Sequence, residues 1–444
     1  ERSYIRDYPS GKLTASLIGV VNDQGVGSGG LESSLNSILS GTNGKYIYAN
    51  GRGNIIPGSE EIRVEAKSGT SIRLTIDRDV QWVAQNAISQ AVASSKAKSG
   101  TVIVMDPKTG EILAQASAPT FDPNVPSTIT VDKLNNPSVQ EVYEPGSTGK
   151  VITVAAAMEE GLITPETVFS IPYSMKVSDG IFRDHEKHPT QRLTTTGLLA
   201  VSSNTGSIQI GQKLGEDNLY KYLTKFGIGQ STNSKLPGES AGILHPVKNW
   251  SGTSLPTISF GQGYSLTAMQ ATSVFATIAN NGVRVKPSIL AGVVDESGKY
   301  TPAGANESIR VLSEQTAINM RAMMENVVSK NGTAPSAAID GYRVAGKTGT
   351  AQRYNIACRC YSGYTASFIG FAPADQPKYV VSVTIQDPKG MHWGGVLAGP
   401  VFKKVMGFVL QNQRISPTPE TKTFYSLTEA ALKQRSKITP KSGA

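Results

Sequence analysis

The chain has 444 residues and a formal net charge of +9, which suits two or three domains and work near an acidic surface such as anionic lipid or cell wall. Its apolar and charged fractions, 39% and 17%, are those of an ordinary folded protein, and no Lys/Arg cluster is interleaved with aromatics, which argues against nucleic-acid binding. Two cysteines (Cys358, Cys360), four histidines in no metal-ligand spacing and no run of eighteen apolar residues leave no disulfide framework, zinc site or membrane span to propose.

Residues 1–70 read as a small mixed module: a strand over 15–21, Gly-rich turns, a short helix over 31–39, then a loop and hairpin over 41–58. Glu1 opens the chain with no signal peptide, so a processed piece of a longer protein is expected. Residues 71–76 form a short strand. Asp77 stands where an N-cap would, ahead of apolar residues at helical spacing over 80–93. Two strands, 101–105 and 111–116, flank the turn residues 106–110. Residues 118–137, rich in Pro, Asn and Asp, read as a long loop. An apolar, core-type helix spans 151–158. Two helices, 194–201 and 207–214, enclose a polar loop, and further helices are expected over 266–280 and 313–329. Strands at 342–345, 364–371 and 379–385 precede a closing helix over 401–410. Residues 414–444 read as a loose polar tail. Strands at both ends with helices between predict an α+β fold, an antiparallel sheet closed by N- and C-terminal strands.

Two phosphate-binding patterns are decoys. Residues 341–348 match a P-loop letter by letter, but no buried strand precedes them and Gly349-Thr350 is a poor helix start. Gly25, Gly27 and Gly30 match a dinucleotide fingerprint, but no acidic residue follows about twenty positions on.

Three other motifs carry chemistry as a set. Ser147 and Lys150 form S-x-x-K, which places both on one face of a helix. A lysine there can take the serine proton if burial and neighbouring positive charge lower its pKa from about 10.4. A helix N-terminus favours the negative charge that then develops. Ser95 and Lys98 repeat the pattern, but in a solvated lysine-rich stretch. Only Ser147 has Pro-Gly before it and an apolar helix behind it. Ser202-Ser203-Asn204 supplies a hydroxyl and an amide in an inter-helix loop; residues 34–36 and 231–233 also match S-x-N. Lys347-Thr348-Gly349-Thr350 on a strand would present cation and hydroxyls to a carboxylate, with Gly349 admitting a ligand close to the backbone. Its copy at 108–110 is a hairpin turn.

The order S-x-x-K, S-x-N, K-T-G is that of serine β-lactamases and penicillin-binding proteins. The chain resembles class B penicillin-binding proteins, most of all the cell-division (FtsI-like) type of actinobacterial character. Glu144-Pro-Gly-Ser-Thr-Gly-Lys150, Val201-Ser-Ser-Asn-Thr-Gly206, Phe260-Gly-Gln-Gly-Tyr-Ser265 and Ala345-Gly-Lys-Thr-Gly-Thr-Ala-Gln352 carry the likeness. Thr109-Gly-Glu-Ile-Leu-Ala114 and Trp393-Gly-Gly395 to Pro400-Val-Phe402 add to it, and it runs from about residue 5 to 415.

The resemblance implies a β-lactamase-like transpeptidase domain over 71–413, behind part of an N-terminal pedestal (1–70) and ahead of the tail (414–444). It implies a D,D-transpeptidase cross-linking peptidoglycan stem peptides that end in D-Ala-D-Ala, in septal wall synthesis, acylated by β-lactams and needing no cofactor or metal. Ser147 would be the nucleophile, Lys150 the base, with Ser202 and Asn204 lining the cleft. Lys347, Thr348, Gly349 and Thr350 would bind the substrate carboxylate, and the N–H groups of Ser147 and Thr350 would form the oxyanion hole. An FtsW-type glycosyltransferase is the implied divisome partner. The location would be the extracytoplasmic face of the membrane, with the anchor outside this chain. Gly149 departs from the pattern, where relatives often carry a larger apolar residue, and is expected to loosen the helix start by about 1 kcal/mol. A D,D-carboxypeptidase or β-lactamase would differ by turning penicillin over, and a β-lactam-sensing or scaffolding module by acylating without any turnover of stem peptide. A nucleotide-binding protein would instead show Mg²⁺-dependent ATP affinity.

Overall fold

The computed structural model describes residues 6–52, 54–56, 62–355, 358–418 and 425–438. Asp77 caps helix Arg78–Ser94 (α1), accepting from the N–H groups of Asp79 and Val80. Strands Ser99–Met105 (β1) and Ile112–Ala118 (β2) follow, joined by a turn in which Asp106 accepts from Lys108 N. The middle of the chain supplies helices Lys150–Glu159 (α2), Thr195–Ala200 (α3), Asn204–Leu214 (α4), Ala268–Ala279 (α5) and Glu314–Val328 (α6). Strands Ala345–Asn355 (β3), Cys360–Ala372 (β4) and Tyr379–Gln386 (β5) come next, then helices Gly394–Asn412 (α7) and Glu429–Ile438 (α8).

The five strands form one antiparallel sheet in the order β3-β4-β5-β1-β2. Closure is therefore long-range, because β5 pairs with β1 across most of the chain. Helices cover both faces. On one, Val80 and Ile88 of α1 and Phe402, Met406 and Leu410 of α7 pack against Val102, Phe368 and Val383. On the other, Ile152, Met269 and Met323 join Ile103, Ile369 and Phe371. Every residue of β1 and β2 is buried, so neither strand alternates apolar with polar as a half-solvated strand would. The α+β expectation holds, and β3 is left as an edge.

Several expectations fail for identifiable reasons. Residues 15–18 are helical, not a strand; a short apolar run does not distinguish the two by periodicity. The helix expected over 31–39 breaks at Leu35 into Gly30–Ser34 and Asn36–Leu39. Part of the hairpin expected over 41–58 lies outside the described residues; within them, Asn50–Gly51 pairs with Asn54–Ile55. Strands Val168–Ile171 and Gln191–Thr194, hairpin Ser174–Val177 with Gly180–Arg183, and helix Glu216–Lys225 were not expected; the helix does carry a sequence signal, Leu219, Tyr222 and Leu223 at helical spacing behind an acidic first turn. The tail is not loose where it is described. Leu427 O accepts from Thr194 N, and α8 is tied by Arg192–Glu429 and Arg435–Glu166 ion pairs. Its polar residues read as solvated, but they meet partners distant in sequence. Cys358 and Cys360 are joined as a disulfide near the tip of the β3–β4 hairpin. No helix among the described residues is long and apolar enough to cross a membrane.

Candidate active site

Ser147 lies in a single 3₁₀ turn, Gly146–Thr148, that leads directly into α2. The turn is gripped by backbone: Gly146 N donates to Gly261 O at 2.8 Å. Both glycines have positive φ, +53° and +95°, and a Cβ on Gly261 would strike Gly146 O. Phe260-Gly-Gln-Gly thus shapes the Ser147 turn from outside. Ser147 is half-buried, and its hydroxyl makes no hydrogen bond to another described residue.

Behind it Lys150 is fully buried. Its Nζ donates to Asn204 Oδ1 at 2.7 Å, to Ser202 Oγ at 3.2 Å and to Ser202 O. Lys347, also fully buried, donates to the same Ser202 Oγ at 2.8 Å. Two amines share one hydroxyl. Burial pushes Lys150 down to about 7, against the field of Asp184, which holds it up. Burial likewise lowers Lys347, and the neighbouring Lys150 charge adds to the effect. Ser202 has φ +63°, in the left-handed region that costs a non-glycine residue about 1–2 kcal/mol. That conformation turns its carbonyl and its hydroxyl toward the same ammonium.

Asp184 is the residue that sequence reading missed. Its buried carboxylate accepts from Thr205 N at 2.9 Å, Ser203 Oγ at 2.7 Å and Asn204 N, and it contacts His188 Nε2 at 3.1 Å. Ser203 in turn caps α4 by accepting from Gly206 N. Asn204 is the first residue of α4 rather than a loop residue. Its Nδ2 is held by Arg183 O at 2.9 Å, which turns Oδ1 toward Lys150. No spacing motif marks Asp184; only the hairpin Ser174–Val177 with Gly180–Arg183 delivers it.

Lys347-Thr348-Gly349-Thr350 lies on β3, the edge strand, facing the Ser147 turn. A Cβ on Gly146 would stand 3.0 Å from Ala351 Cβ, and one on Gly349 would stand 2.9 Å from Pro145 O. Turn and strand therefore touch backbone to backbone, with Ser147 beside Thr350. Thr348 Oγ1 is 2.8 Å from Thr333 Oγ1, and Thr350 Oγ1 accepts from Gly394 N at the start of α7. Lys347 and Thr348 lie within a strand, not at a helix N-terminus, so residues 341–348 cannot form a phosphate cradle. The decoy Ser95 donates to Ala91 O at the end of α1. Among the described residues no three His, Cys, Asp or Glu side chains gather as metal ligands.

A family model for the penicillin binding protein transpeptidase domain matches residues 100–407. The penicillin-binding protein PbpB of Mycolicibacterium smegmatis is 40% identical over 432 residues, 95% of this chain and 67% of that protein. The chain belongs to the class B, FtsI-like penicillin-binding proteins. The peptidoglycan D,D-transpeptidase FtsI of Escherichia coli is 35% identical over 416 residues, 93% of this chain and 68% of that one. A crystal structure of penicillin binding protein 3 from Mycobacterium tuberculosis superposes with a TM-score of 0.86 at 36% identity, covering 95% of this chain and 94% of that one. The same protein has been solved in complex with aztreonam and with ampicillin. The chain spans about two thirds of the length of these curated relatives.

In this penicillin-binding protein the glycine at position 149 has a structural reason. Its φ is −68°, an ordinary helical value, so the position does not need glycine's conformational freedom. It needs the space: a Cβ there would lie 2.4 Å from Tyr264 Oη. The Tyr264 hydroxyl is buried and has no hydrogen-bond partner among the described residues. Gly149 thus accommodates a bulky neighbour, where the sequence suggested only a weaker helix. Gly149→Val should destabilise the chain by about 1–3 kcal/mol through overpacking. Adding Tyr264→Leu should restore part of that loss, since Gly261 Cα, 2.9 Å from such a Cβ, still crowds it, giving a non-additive pair in denaturant titrations. Additive losses would contradict the contact.

Proposed function

We infer that this protein is a peptidoglycan D,D-transpeptidase acylated by β-lactams, with Ser147 as its nucleophile. The observation that carries the reading is Lys150: a buried amine, one turn from Ser147, with its pKa lowered to about 7, bonded to Ser202 and to Asn204, which Asp184 holds from behind. As the neutral amine, Lys150 keeps two N–H groups for Ser202 O and Asn204 Oδ1. Its lone pair is then available for the Ser147 proton.

Ser147 Oγ attacks the carbonyl of the penultimate D-Ala, and Lys150 takes the proton. The N–H groups of Ser147 and Thr350 hold the oxyanion. Ser202 Oγ, accepting from both lysines, directs its own proton into the cleft and passes it to the leaving D-Ala amine as the C–N bond breaks. Lys150 reprotonates Ser202. The amine of a second stem peptide then attacks the Ser147 ester, its proton passes through Ser202 to Lys150, and Lys150 returns a proton to Ser147 Oγ as the ester C–O bond breaks. The terminal carboxylate of the donor sits at Lys347, Thr348 and Thr350, with Gly349 leaving room for it. That carboxylate supplies a countercharge to Lys347, whose charged form burial and the Lys150 charge disfavour. A β-lactam follows the acylation half of this path.

The family placement supports septal wall synthesis at the extracytoplasmic face of the membrane, an anchor beyond this chain and an FtsW-type glycosyltransferase as partner.

Mass analysis after penicillin treatment should show one adduct, mapping to the peptide that contains Ser147, and none in Ser147→Ala. Label on another residue, or its persistence in Ser147→Ala, would overturn the assignment. The acylation rate has a pH signature as well. Neutral Lys150 is the active form, so the rate should rise through about pH 7 and then level off. A rate flat between pH 5.5 and 8.5 (limits about 1.5 units either side) would remove Lys150 as the base.

A further inference from the structure

Beyond the reaction centre, β3 runs on into a second cavity of about 630 Å³, formed by residues 353–355 of β3, the start of β4 and the loop after β5. Its charge is one-sided. Lys98, Arg353 and Lys389 line it against a single carboxylate, Asp387. Lys389 is paired with Asp387 at 2.6 Å, while Lys98 and Arg353 make no ion pair with any described residue. One wall is flat, with Tyr364 and His392 stacked at 4.0 Å and 11°. The β3–β4 register breaks between Gln352 and Tyr354. Such a bulge re-aims the side chain it carries, here Arg353.

The direction of the substrate links this cavity to the chemistry. As an edge strand, β3 presents one row of N–H and C=O groups away from β4, a template for an extended peptide. With the terminal carboxylate at Lys347 and Thr348 and the scissile carbonyl at Thr350, the rest of the donor continues toward Gln352 and Arg353. At about 3.3 Å per residue, Arg353 lies roughly 10 Å beyond Thr350, the reach of a residue two to four positions before the scissile bond. Two cations without ion-pair partners among the described residues, lining a cavity on that line, are complementary to an anion.

We propose that this cavity is a subsite for a carboxylate carried by the donor peptide two to four residues upstream of the scissile bond. The proposal rests on the Ser147 reading for the direction of the substrate.

The test is protection of Ser147 from a fluorescent penicillin by two synthetic peptides ending in D-Ala-D-Ala, with glutamate or glutamine three residues upstream. The glutamate peptide should protect at about tenfold lower concentration, and added salt should narrow the gap. In Lys98→Gln/Arg353→Gln the two peptides should protect equally. Each comparison is made within one protein, so a changed acylation rate cancels. Equal protection in the unsubstituted protein, protection by neither peptide, or a gap that survives the double substitution would overturn the subsite. Failure of penicillin to label Ser147 at all would instead overturn the reading beneath it.

Discussion

Lys150→Met should lower the rate of penicillin acylation by about 10²–10⁴-fold while the chain stays folded. Methionine fills a similar volume without an amine, so the proton acceptor goes and the packing remains. The stability change has two opposing parts. Asn204 Oδ1 and Ser202 O lose their donor, which costs about 1–3 kcal/mol for each group left unsatisfied. Against this, a fully buried amine no longer has to be desolvated. Lys150→Arg separates charge from basicity. A guanidinium keeps the positive charge but holds its proton at any working pH, so this variant should be about as slow as the methionine one. Stopped-flow acylation with thermal denaturation on the same samples measures both quantities. A fast arginine variant would mean that charge, not proton acceptance, is what position 150 supplies.

Asp184→Ala should be the most damaging change outside the motifs, both to stability and to acylation. The substitution strands Asn204 N, Thr205 N and Ser203 Oγ, all partners of one buried carboxylate. Removing a buried charged acceptor from such a cluster costs about 3–5 kcal/mol. Asn204 then loses one of the contacts that aim its Oδ1 at Lys150, and a misplacement near 1 Å is worth about 10²-fold in rate. Asp184→Asn, which keeps one acceptor oxygen, should fall between the two. His188 adds a pH element. Burial works against its charge, but Pro189 O and Asp184 outweigh this and raise its pKa. Its contribution is therefore stabilising at acid pH and fades as pH climbs past its raised value. Chemical denaturation across pH, with acylation rates for each variant, tests the assignment. An Asp184→Ala protein as stable and as fast as the parent would show that the carboxylate does not hold the Ser203–Asn204 segment.

Much of the site was legible before any fold was known. The Pro-Gly break before Ser147 and the apolar run after it are local features, and they separated Ser147 from Ser95 without tertiary information. The same locality exposed the P-loop decoy, since what surrounds Lys347 is strand-like, not helical. Asp77 caps the helix it precedes, as expected, because an N-cap is a property of a few consecutive residues. Legibility fell where segments depend on distant partners. The strands Val168–Ile171 and Gln191–Thr194 are held by each other, and Gln191–Thr194 also by the tail; at four residues each they are too short for periodicity to set them apart from turns.

By itself the sequence determined the chemistry: a serine, a lysine one turn on, and two later motifs in an order that few other enzymes share. The tertiary structure decided how that chemistry is held. Ser202 lies 52 residues from Lys150 and 145 from Lys347, and the two amines meet on its hydroxyl only because the helices and the edge of the sheet pack together. Asp184 and Tyr264 belong to the same class. Neither lies in one of the three motifs, yet one holds Asn204 against Lys150 and the other accounts for the glycine at 149. Local pattern records what a residue does to its own backbone. What it does to a residue a hundred positions away is set by the closure of the chain and the space left in the core.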